Sequence, residues 1–142
     1  MRFTIMSHKD TYDSAKHRYD MQNIIIALDG PRENPKLIVP AIANNVHAVL
    51  HANLNSNNEL DEQTARKILD FAKDNIHIKH VIISTDCHHA QAISICAILM
   101  KIMAGSDKDA LDKAIYEPDF QTYRTMTNAV IDMMTDEFAT MP

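Results

Sequence analysis

His80-Val81-Ile82-Ile83-Ser84-Thr85-Asp86-Cys87-His88-His89-Ala90-Gln91-Ala92-Ile93-Ser94-Ile95-Cys96-Ala97-Ile98-Leu99-Met100 is the stretch whose reading decides the fold. It begins as a short β-rich apolar run, passes through polar residues, and continues as an apolar segment long enough for a helix. The pattern predicts a buried strand over 78–84, a loop, and a core helix ending near Gly105. The polar cluster therefore falls where a strand's C-terminal end meets a helix N-terminus. In open α/β sheets ligands bind at that edge, and a helix N-terminus favours an anion.

The same logic extends outward. Residues 2–7 alternate and predict a strand, followed by a helix over about 10–19 capped by Ser7 or Asp10. Asn23-Ile24-Ile25-Ile26-Ala27-Leu28 is a second buried strand, stopped by Asp29-Gly30-Pro31. Leu37 to Ala43 reads as a short helix or loop, with Pro35 before it and Pro40 within it. Val46 to Leu50 is a third strand, with His47 and His51 on one face. The polar loop Asn53 to Asn58 leads to an amphipathic helix over 59–75, with Asn58 as its expected cap. A short helix from Ser106 or Asp107 to about 114 and a last helix over 119–135 complete the chain. Apolar strands alternating with helices predict one α/β domain with a mainly parallel four-stranded sheet covered on both faces. Right-handed crossovers then place the 53–58 and 85–91 loops side by side.

The chain has 142 residues, 46% of them hydrophobic, and a net charge of −5 with histidines neutral. An acidic balance argues against a nucleic-acid polymer as partner. No apolar run reaches membrane-spanning length, and Met1 to Ser7 lacks a signal-peptide core, so a cytoplasmic protein is expected. Cys87 and Cys96 would lie roughly 13 Å apart on one helix, too far for a disulfide. Cys96 reads as a small core residue, and the nine methionines read as adaptable core filler. Met133 and Met134 also suit an interface, which leaves a homodimer open.

Helix 59–75, strand 78–84, the loop, the apolar helix and Tyr116-Glu117-Pro118-Asp119-Phe120-Gln121-Thr122-Tyr123-Arg124 carry a resemblance. So do Phe3-Thr4-Ile5-Met6-Ser7 and Ile24 to Pro31. Together they resemble small bacterial and phage proteins of the cysteine-dependent protein tyrosine phosphatase class. The resemblance implies that family's fold. It also implies a loop whose Cys attacks phosphorus and whose Arg, six residues on, holds the phosphate oxygens. An Asp on the neighbouring loop would protonate the leaving oxygen. Here Thr85 falls at the nucleophile position and Gln91 at the arginine position, with Asp86, Cys87, His88, His89 and Ala90 between them. Taking Cys87 as nucleophile instead puts Ile93 at the arginine position. The acid loop matches Leu54-Asn55-Ser56, with Asn55 or Ser56 at the aspartate's place. His88 stands where the family's loop has glycine, and left-handed backbone is costly there.

A hydroxyl without a base, a neutral amide and a carboxamide remove three catalytic roles together. The reading is a catalytically inactive phosphatase-like domain that binds an anionic small molecule such as a signalling nucleotide. It would hold that molecule without a cofactor and sequester it, as a phage counter-defence protein would. Expected binding residues are Thr85 to Gln91, Asn53, Asn55, Ser56 and His51, with Tyr123 and Arg124 contributed by the last helix. Two alternatives stand beside it. One is altered hydrolytic chemistry, through Cys87 with His88 or His89 or through histidine-bound zinc. The other is a protein-interaction module with a vestigial loop.

Overall fold

The uninterrupted apolar runs Ile24 to Leu28 and Val81 to Ile83 lie on the two central strands of one parallel sheet. In the computed structural model, which describes residues 2–16, 20–31, 42–105 and 118–139, strands β1 (Arg2–Met6), β2 (Asp20–Asp29), β3 (Val46–Asn53) and β4 (His80–Ser84) form a parallel sheet. Its spatial order is β1-β4-β2-β3. The helices among the described residues are α1 (His8–Ala15), α2 (Glu62–Asp74), α3 (His89–Ala104) and α4 (Phe120–Ala139), with a 3-10 turn at Ala43–Asn45. None of them is long and apolar enough to cross a membrane.

One sheet face carries Ile24, Ile26, Leu28, Val81 and Ile83 into a core shared with α2, α3 and α4. The other carries Ile25, Ala27 and Ile82 against Tyr12 and Ala15 of α1. Burial on both faces explains why β2 and β4 read as unbroken apolar runs. It also explains the all-round apolarity of α3, where Ala92 to Leu99 is buried throughout.

Some boundaries move from those expected. β3 runs to Asn53, three residues past Leu50, because it stays paired with β2 as far as Asp29. The second helix begins at Glu62, and its cap is Asp61, not Asn58. Asn58 is taken up by the turn before it. There the Asn55 side-chain oxygen accepts the N–H groups of Asn57 and Glu59, and Asn58 adopts φ +55°. Asp61 Oδ1 then accepts the Thr64 N–H at 2.7 Å. Asp61→Ala should lower stability by about 1 kcal/mol, readable as a shifted urea midpoint, and Asn58→Ala should not act through the helix. At α1, Ser7 is the cap, accepting the Asp10 N–H at 3.0 Å. The last helix runs on to Ala139, entered through Asp119, whose carboxylate accepts the Thr122 N–H. Gly105 closes α3 in the left-handed conformation at φ 84°. The expected helix at 106–114 and residues 37–41 of the expected segment at 37–43 lie outside the described residues.

Connections that leave neighbouring strands toward opposite faces open a crevice between them. β1 and β4 are such a pair, since α1 covers one face and α3 the other. The Thr85–His88 loop stands at that crevice.

Candidate functional site

Thr85 is fully buried. Its N–H donates to the Met6 carbonyl at 3.0 Å, extending the β1–β4 ladder by one residue. Its hydroxyl oxygen accepts the His88 N–H at 3.2 Å. The side chain at the expected nucleophile position is thus turned inward and closes the loop on itself. Asp86 turns toward α1, where Oδ1 accepts the His8 N–H at 3.0 Å. Cys87 is exposed at the tip. His88 precedes the helix at φ −118°, ψ 50°, so no left-handed residue shapes this loop. α3 starts at His89, two residues before Gln91, so its first-turn N–H groups lie at the helix end that adjoins the Thr85–His88 loop.

The 53–58 loop meets this one through Gln91, whose side-chain nitrogen lies 3.5 Å from the Asn58 carbonyl. Asn55 is half-buried and spends its oxygen on its own turn, which leaves its amide hydrogens as the groups it can offer a ligand. Asn53 and Ser56 are exposed. His51 is exposed on β3, which β2 separates from β4, so it stands about 10 Å to the side of the loop's strand. α4 is tied to the first turn of α3. Asp119 donates its N–H to the Ala90 carbonyl at 3.3 Å, and its own carbonyl accepts from Ser94 Oγ at 2.9 Å. One turn further on, Tyr123 packs half-buried against the core. Arg124 faces solvent with its guanidinium 5.7 Å from the Phe120 ring centre. Among the described residues no cluster of three His, Cys, Asp or Glu side chains is placed to hold a metal ion.

Beneath the loop lies a polar network that the sequence reading passed over. His8 is only 2% exposed, with Nε2 2.7 Å from Asp29 Oδ1 and Nδ1 2.6 Å from Ser84 Oγ. Thr11 Oγ1 lies 2.9 Å from Ser84 Oγ and 2.8 Å from the Ser7 carbonyl. Ser84 Oγ thus stands between His8 and Thr11, and the Thr11 hydroxyl between Ser84 and the Ser7 carbonyl. The network joins the ends of β2 and β4 to the first turn of α1. A signal was present: Ser84 and Asp29 are the polar residues ending apolar strands, and His8 follows β1 by two residues.

The two cysteines differ as their positions require. Cys96 is buried on α3, and burial pushes its thiol up to about 11. At pH 8 a thiol reagent should therefore label one cysteine per native chain, Cys87, and a second only in denaturant. Cys87→Ser should abolish the native signal.

No protein-family model and no curated protein matches the sequence. Among solved structures, the chain is similar to the crystal structure of Tk-PTP in the active form, with a TM-score of 0.58 at 12% identity. The match covers 94% of this chain and 90% of that one. The parallel sheet, its helices and this neighbour agree: the chain has a protein tyrosine phosphatase-like α/β fold.

Proposed function

We propose that the chain is a phosphatase-like binding domain, one that holds an anionic small molecule at the β4–α3 junction without cleaving it. A signalling nucleotide is the ligand class, and sequestration is the role. The observation that carries the reading is Thr85, fully buried with its hydroxyl oxygen committed to the His88 N–H. A hydroxyl so placed presents no nucleophile to a ligand in the crevice. Gln91 adds a neutral amide, its nitrogen 3.5 Å from the Asn58 carbonyl, where a phosphatase needs a cationic fork, and the transferring phosphoryl group depends on that charge. What remains is suited to holding. The α3 N-terminus favours an anion, and the amide hydrogens of Gln91 and Asn55 with the imidazoles of His88 and His89 suit a base or ribose.

Titration calorimetry with a panel of mono-, di- and cyclic nucleotides tests it. One nucleotide should bind saturably, and the double change His88→Ala, Gln91→Ala should weaken it about tenfold or more. Hydrolysis of p-nitrophenyl phosphate should stay at background. The exposed Cys87 favours one rival, a hydrolase of altered chemistry. Turnover that disappears in Cys87→Ser would establish that rival and end the binding-only reading.

A further inference from the structure

The sheet face that carries α1 is only half covered by that helix. α1 has eight residues and spans about 12 Å, whereas the ten residues of β2 span about 33 Å. α1 packs over the loop end of the face, where Thr11 meets Ser84 and Ala15 joins the Ile25–Ile82 cluster. Beside α1 the described residues leave a cavity of about 480 Å³ on this face, running from Met6 to Arg2 and Lys79 at the far end of the sheet. That is within the range that takes a small organic ligand.

Its chemistry is specific. Arg2, His80 and Asn23 form one row across β1, β4 and β2. Ala15, Val46 and Ile82 provide an apolar floor, and Arg2 and Lys79 bring two permanent cations to the rim. No carboxylate is among the described residues that line the cavity, in a chain whose net charge is −5. The cations sit on paired backbone: the Arg2 N–H donates to the Lys79 carbonyl at 2.8 Å, and the Lys79 N–H to the Gln22 carbonyl at 3.1 Å. The Arg2 guanidinium is also steered by His80. Arg2 Nη2 lies 3.4 Å from His80 Nδ1, and His80 Nε2 lies 2.7 Å from Thr4 Oγ1. A guanidinium only donates, so Nδ1 accepts and Nε2 carries the hydrogen toward Thr4.

We propose that this cavity is a second binding site, for a small organic anion: an apolar ring or chain bearing one carboxylate, sulfonate or phosphate. The apolar body covers Val46 and Ile82, and the anionic head lies between Arg2 and Lys79. Its two cations stand at the end of the sheet remote from the β4–α3 junction, and the site does not depend on whether that junction binds a nucleotide.

Anilinonaphthalene sulfonate, an aromatic anion, and phenylnaphthylamine, its uncharged counterpart, are the probes. In fluorescence and calorimetric titrations of the native chain, the sulfonate should occupy one saturable site about tenfold or more tighter than the amine. Lys79→Glu and Arg2→Gln, both at exposed positions, should each weaken the sulfonate several-fold and leave the amine unchanged. His88→Ala, Gln91→Ala should leave sulfonate binding as it is. Equal affinity for the two probes overturns the proposal, and that comparison needs no variant. So does sulfonate binding that survives both rim substitutions, or that is lost in the loop variant alone. Absence of saturable sulfonate binding overturns it as well.

Discussion

His8→Leu should lower stability by about 3–5 kcal/mol, the cost of leaving a buried charge without its partner. The reasoning runs through Asp29. Its carboxylate is buried and meets the His8 ring at 2.7 Å, and leucine offers it nothing. Ser84, fully buried, also loses a partner. Each unsatisfied buried polar group adds to the penalty. Asp29→Leu should cost a comparable amount for the mirror-image reason. The double change His8→Leu, Asp29→Leu should recover a large part of the loss, because it leaves neither member of the pair buried without the other. Urea unfolding of the four proteins measures this directly. If the double change merely adds the two single losses, the pair is not the unit described here. The backbone N–H of residue 8 donates to Asp86, and leucine keeps that bond, so the Thr85–His88 loop should hold its anchor to α1. Hydrogen exchange at Cys87 and His88 should therefore rise no more than the global loss of stability requires.

Leu99→Ala should cost about 2–5 kcal/mol. Leu99 is fully buried on α3, within the core shared by the sheet, α2 and α4. α3 is held between the sheet and α4 and contributes apolar side chains on every face. Neighbours so confined relax little into the space a leucine leaves, and the residual cavity adds to the lost transfer energy. The urea midpoint should fall by about 1–2 M, with the slope unchanged, since the area exposed on unfolding hardly changes. Ile102→Ala, on the same helix but exposed, should stay within about 0.5 kcal/mol. A similar loss at both positions would mean that α3 is not packed as described.

Much of the architecture was legible in the chain itself. Ile24 to Leu28 and Val81 to Ile83 are β-branched or apolar without interruption, which a strand tolerates only when both of its faces are covered. Gly105 ended α3 because a left-handed residue was needed there. The departure at Asn58 has an equally local cause. Asn and Asp compete for caps and turns alike, and four asparagines precede Asp61 between residues 53 and 58. Which of them caps the helix depends on the path of the loop.

The site divides in the same way. Thr85, Asp86, Cys87, His88, His89 and Gln91 are consecutive, or nearly so, so the strand-to-helix boundary alone places them together. Their proximity to the 53–58 loop followed from the handedness of crossovers, and the Gln91–Asn58 approach has that origin. The inward turn of Thr85 and the seating of Asp86 against α1 were not legible. Both depend on β1 lying next to β4, although 73 residues lie between Met6 and His80 in the chain, a pairing that no local pattern encodes. His8, Asp29 and Ser84 belong to that second class. Each is an ordinary polar residue beside a strand end until the order β1-β4-β2 brings three ends within hydrogen-bond reach. Periodicity and turn chemistry act over a few residues, so the sequence by itself determined the elements and the loop. Hydrogen bonding between distant strands acts only once the sheet has formed, so the tertiary structure decided which polar groups are committed to the scaffold and which stay at the crevice for a ligand.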